Sequence, residues 1–68
     1  MNRLRHTNET VEQALYRFRR EWKRNSVARM RIITGVAHVY RMSTHEDKNR
    51  IAGMLHAHGL VAAFHPYL

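Results

Sequence analysis

The residues most able to do chemistry in this 68-residue chain are cations crowded into one stretch of the sequence. Seven basic residues fall between positions 17 and 31, against a single acidic residue, Glu21. The guanidinium group of arginine is a planar fork that binds phosphate through two hydrogen bonds and stacks on flat rings. We therefore predict a site for phosphate or another anionic surface, formed by Arg17, Arg19, Arg20, Lys23, Arg24, Arg29 and Arg31.

Aromatic residues alternate with these cations, since Tyr16, Phe18 and Trp22 fall in the same stretch. Cations interleaved with aromatic rings suit a phosphate backbone together with exposed bases. In the simplest alternative, Phe18 and Trp22 belong to the core and the arginines form a solvated helix face. A third interpretation, in which the helix lies on an anionic membrane surface, uses the same residues.

Metal and cofactor chemistry has little support in the sequence. The chain has no cysteine, which excludes disulfides and thiolate ligands. It has six histidines, but His56 and His58 are two residues apart and would diverge on a helix. Zinc needs three or four converging ligands. We predict no metal site and no cofactor.

The sequence also predicts no catalytic residues, and therefore a protein that is not an enzyme. It has no glycine-rich phosphate loop and no serine in a nucleophile-elbow context. His38, Asn49 and His58 follow one another in an order that resembles the HNH nucleases. That family keeps its asparagine in the loop before the last helix, whereas here Asn49 falls inside a predicted helix.

The formal net charge of +7 indicates an anionic partner, either nucleic acid or an acidic protein surface. Residues 1–31 carry nine of the twelve basic residues. The length allows one domain with a marginal core, which makes a homodimer plausible. We find no apolar signal segment and no stretch of about 20 apolar residues that would span a membrane. The expected location is cytoplasmic.

The first predicted element is a basic amphipathic helix over residues 10–25. Thr10 and Gln13 have the spacing of a capping box at its start. Arg17 and Glu21 are spaced to pair along it. The apolar residues recur at helical spacing and form one stripe: Val11, Ala14, Leu15, Phe18 and Trp22.

The segment over residues 27–42 is rich in β-branched residues and contains Gly35 in its middle. Residues of this kind favour extended structure, and a glycine there is typical of a turn or a bulge. We predict two short strands or one long bulged strand. In the alternative the segment is a helix with one apolar face, formed by Val27, Met30, Ile33, Ala37 and Tyr40.

A second helix is predicted over residues 44–58, with Ser43 as its N-cap, Glu46 completing a capping box and Gly59 ending it. Residues 60–65 are short and apolar and predict a final strand. The predicted fold is therefore α+β, with a small all-α bundle as the alternative. Residues 1–9 are predicted to form a basic tail, and residues 10–68 a single small domain.

These expectations favour a small, basic, regulatory or nucleic-acid-binding protein that contacts phosphates through an arginine-rich helix. The alternative is a protein-binding module or inhibitor, of the kind found in phages and mobile elements. Such a module would place the same basic face on an acidic surface of a larger enzyme, for example one that handles nucleic acid.

Overall fold

The computed structural model describes residues 9–68, and this part of the chain is all-α. The prediction of an α+β fold is therefore wrong, and the alternative of a small helical bundle is confirmed. Of the predicted tail over residues 1–9, only Glu9 lies within the described residues. The elements in chain order are α1 (Val11–Glu21), α2 (Ser26–Met42), α3 (His45–Ala57), α4 (Val61–Phe64) and a closing 3-10 turn (His65–Tyr67).

Helix α1 begins at the predicted capping box. The Thr10 hydroxyl accepts from the Gln13 amide at 3.2 Å, and the Gln13 side chain accepts from the Thr10 amide at 3.0 Å. The helix ends at Glu21, four residues before the predicted end at residue 25. It ends early because Asn25 is already the N-cap of the next helix, and its side chain accepts from the Ala28 amide at 3.0 Å.

Helix α2 replaces the predicted strands over residues 27–42. The intrinsic preference of a β-branched residue against the helix is only about 0.5 kcal/mol, and burial outweighs it. Four β-branched side chains are buried along one side of the helix: Ile32, Ile33, Val36 and Val39. Gly35 is buried within the helix and does not interrupt it. The alternative helix is thus right in type, although Val27 and Met30 of its proposed apolar face are exposed.

The cap of α3 differs by one residue from the prediction. Thr44 is the N-cap, and its hydroxyl accepts from the Asp47 amide at 3.2 Å. Ser43 instead donates its hydroxyl to the Val39 carbonyl at 2.5 Å and closes the end of α2. The predicted end at Gly59 is confirmed, because this residue has a φ of 69° and follows the C-cap His58.

The predicted strand over residues 60–65 is instead the short helix α4 and the start of the 3-10 turn. A lone strand here would have no partner, because residues 27–42 are helical. Pro66 lies at the start of the 3-10 turn, where its missing N–H costs little. Phe64 is the only buried residue of α4.

The core lies where the helices meet. α2 packs against α1, α3 and the 3-10 turn, and α3 packs against α1 and α4. Every large element contributes apolar side chains to one cluster: Val11, Ala14, Leu15, Phe18, Ile32, Ile33, Val36, Val39, Ile51, Leu55 and Phe64. Trp22, which the sequence placed on the same stripe, is 44% exposed and lies outside it.

Candidate nucleic-acid interface

Arg17 differs from the other predicted site residues because it forms ion pairs with two carboxylates. Its guanidinium donates to the Glu9 carboxylate from Nη2 at 2.8 Å and from Nε at 3.0 and 3.2 Å, and Nη1 lies 3.5 Å from the Glu21 carboxylate. The hydrogen bonds to Glu9 raise the pKa of Arg17 above its ordinary value, and the charges of both carboxylates add to the rise. The predicted pair with Glu21 is confirmed, whereas the pair with Glu9 was not foreseen. Two carboxylates therefore offset the charge of Arg17.

Four of the other predicted cations gather at the end of α1 and in the turn after it. We call Arg19, Arg20, Lys23 and Arg24 the α1 basic cluster. Arg19 and Arg20 lie in the last turn of α1, and Lys23 and Arg24 lie in the turn that follows it. All four are exposed, and none forms an ion pair with a residue that the structure describes. Their charges face solvent.

The last two predicted cations lie on α2 and point in different directions. Arg29 donates from Nη1 to the Trp22 carbonyl at 3.1 Å, which ties the start of α2 to the end of α1. Arg31 is two residues further on, about 160° around the helix, and is exposed. The structure therefore places Arg29 beside the α1 basic cluster and Arg31 on another face.

Most of the acidic residues of the chain are paired with two arginines that do not belong to the α1 basic cluster. The sequence contains five, and two of them are bound to Arg17. Two more lie beside Arg50 on α3, with Glu46 at 3.0 Å and Asp47 at 3.9 Å. Two arginines thus hold four of the five carboxylates. Glu21 is the one carboxylate within the stretch of the α1 basic cluster, and it pairs with Arg17 and not with a member of the cluster.

Helix α2 begins directly after this cluster, at Ser26, and has no acidic residue in its first turn. The N-terminal end of a helix carries a partial positive charge, because its first N–H groups have no partner within the helix. Only the Ala28 amide is capped, by Asn25. The C-terminal end of α1 brings a partial negative charge to the same turn, so the two helix ends offset each other and the four cations determine the potential there.

An open groove of about 600 Å³ adjoins the α1 basic cluster. Helices α1 and α2 contribute Arg19, Trp22, Arg29 and Met30, and the C-terminal segment contributes Ala63 and Tyr67 among others. Sequence reasoning missed this groove. It placed Trp22 on the apolar stripe of the first helix and left open whether the ring is part of the core or exposed to bases. Tyr67 reaches the groove because the 3-10 turn packs against α2 and α4.

The histidines do not form a metal site in the described part of the chain, where no three His, Asp or Glu side chains come together as a ligand set. His58 contacts Tyr16 edge to face, with ring centroids 4.8 Å apart. Of the residues that resemble the HNH nucleases, His38 lies in the middle of α2 and Asn49 lies within α3, not in a loop before it. The three residues of the resemblance therefore lack the fold that would position them.

Among the described residues, no helix is both long enough and apolar enough to cross a membrane. α2, the longest helix, has 17 residues and carries Arg29, Arg31 and Arg41. Comparison of the chain with protein-family models, with curated proteins and with solved structures finds no match in any of the three.

Proposed function

We propose that this chain is a nucleic-acid-binding protein rather than an enzyme, and that it contacts phosphates through the α1 basic cluster. The observation that carries the proposal is the separation of charge. Four cations within six residues face solvent, while Arg17 and Arg50 occupy four of the five carboxylates. The half-exposed ring of Trp22 lies in the middle of the cluster and supplies a surface on which a base can stack.

The salt dependence of binding tests this proposal. Each phosphate neutralised on a single strand contributes about 0.7 to the slope of log affinity against log salt, so four cations give a slope near −3. The affinity should fall about 50-fold between 50 and 200 mM salt. We expect the double variant Arg20→Gln/Arg24→Gln to reduce the slope by about 1.4.

The matched control is Lys48→Gln/Arg50→Gln, which removes the same amount of charge from α3. Its slope should stay within about 0.3 of the parent value, because neither residue belongs to the cluster. Equal losses in the two variants would show that total charge, not the cluster, governs binding. Undetectable binding to single and double strands at low salt would overturn the proposal and favour an acidic protein partner.

A further inference from the structure

The groove beside the α1 basic cluster exposes three large side chains to solvent. Trp22 is 44% exposed, Met30 is 43% exposed and Tyr67 is 38% exposed, although each belongs to a class that is usually buried. All three line one concave space of about 600 Å³. A concave apolar patch of this kind, next to polar groups, is typical of a binding site.

The charged groups of the groove select for an anion. Arg19 and Arg29 are part of its lining, and no carboxylate is found among the described lining residues. Arg29 uses one N–H on the Trp22 carbonyl, and a guanidinium has five N–H donors, so further donors remain for a ligand. The Lys23 ammonium lies 5.2 Å from the centre of the Trp22 ring.

The groove therefore holds a flat aromatic ring between two lining arginines, and Lys23, which does not line the groove, lies over the same ring. A nucleotide complements both features. Its flat base can stack on the ring, and its negatively charged phosphate can bind the cations. A base in a duplex is stacked and paired and cannot enter, whereas a base in a single strand is free to leave its neighbours. An acidic peptide also carries negative charge. However, stacking of bases on aromatic side chains is the most general way in which proteins bind single-stranded nucleic acid.

We infer that this groove takes one unstacked base of a single-stranded nucleic acid against Trp22, with the adjacent phosphates on Arg19, Lys23 and Arg29. This inference rests on the proposed function and names its preferred substrate, single strands over duplexes. Base recognition of this kind tolerates different sequences, because every base has a face that can stack.

Fluorescence provides the test, because Trp22 is the only tryptophan of the chain. We would titrate the full chain with a single-stranded oligothymidine, an abasic oligonucleotide of equal length and charge, and a duplex. The oligothymidine should quench the fluorescence and bind roughly 5- to 100-fold more tightly than the abasic strand. The abasic strand should bind without quenching.

The variant Trp22→Ala should lose the same roughly 5- to 100-fold in affinity for oligothymidine and change its abasic affinity less than about twofold. Tyr16→Ala is the matched control, since Tyr16 is exposed and aromatic but contacts His58 and does not line the groove. Its affinities should stay at parent values. The abasic comparison uses the unaltered chain, so the test holds even where Trp22→Ala fails to fold.

The outcomes separate the two proposals. Undetectable binding to all three nucleic acids at low salt overturns the proposed function and this inference together. Equal affinity for the abasic strand and oligothymidine leaves the proposed function standing and overturns the base site alone. The base site is also overturned if an acidic peptide with aromatic residues quenches Trp22 and binds more tightly than oligothymidine at the same salt concentration.

Discussion

Removing the ring of Phe64 tests whether the C-terminal segment is part of the core. Phe64 is fully buried, and its ring centre lies 4.9 Å from that of Phe18 at an angle of 56°. It is the only buried residue of α4. The side chain therefore connects the far wall of the groove to α1.

The size of the effect follows from the size of the domain. Replacing a buried phenylalanine by alanine costs about 3–5 kcal/mol. A domain of 68 residues has a total stability of about 3–10 kcal/mol, at roughly 0.05–0.15 kcal/mol per residue. Phe64→Ala should therefore remove at least about a third of the free energy of unfolding. If the total stability is only about 3 kcal/mol, the substitution removes all of it. Phe64→Leu keeps most of the volume and should cost about 1–1.5 kcal/mol.

Urea unfolding followed by circular dichroism at 222 nm measures these losses. Tryptophan fluorescence, measured in parallel, follows Trp22 and should give the same midpoint. Val61→Ala is the control, because Val61 is on the same helix and exposed, so its loss should stay below about 0.5 kcal/mol. The reasoning would be refuted if Phe64→Ala lost less than about 1 kcal/mol while the slope of the free energy of unfolding against urea concentration stayed unchanged. It would mean that α4 unfolds separately from the other helices.

Four further changes have defined outcomes. Arg17→Gln should cost about 0.5–1 kcal/mol in urea unfolding, since solvent partly screens its pairs, and leave oligothymidine affinity within about twofold; a large loss of affinity would mean that Arg17 contacts the ligand. Gly59→Ala should lower the free energy of unfolding by about 1 kcal/mol, because its φ of 69° disfavours a side chain. Gly53→Ala should raise the free energy of unfolding by about 0.5–1 kcal/mol, because the added Cβ meets no atom within 4 Å in the middle of α3. A higher melting temperature for Gly59→Ala, or a lower one for Gly53→Ala, would contradict the corresponding prediction. Thr10→Ala should cost about 1 kcal/mol through loss of the capping box, and an unchanged melting temperature would show that the cap is dispensable.

The sequence predicts best where the signal is local. The capping box at Thr10, the end of α3 at Gly59 and the pair between Arg17 and Glu21 all depend on residues within four positions of one another. Periodicity also identified the buried face of α1, apart from Trp22. These features need no knowledge of the rest of the fold.

The failures came where tertiary packing decides. The β-branched residues of α2 favour a strand by a few tenths of a kcal/mol each, and their burial between α1 and α3 outweighs that preference. Asn25 is a favourable N-cap residue, but the predicted first helix extends to residue 25 and so does not end before it. The groove depends on the packing of α4 against α3 and of the 3-10 turn against α2, which no local pattern indicates. The pair between Glu9 and Arg17 joins residues eight positions apart and depends on how the chain enters α1.

The pairing of four carboxylates with two arginines also has a consequence for how fast this molecule finds a target. In the described part of the chain, four cations lie at the end of α1 and two carboxylates lie beside Arg50 on α3, so the charge is unevenly distributed. An anionic polymer would turn the molecule during its approach, so that most first collisions occur with the α1 end in front. Such orientation raises the association rate constant, and its benefit declines steeply as ionic strength rises.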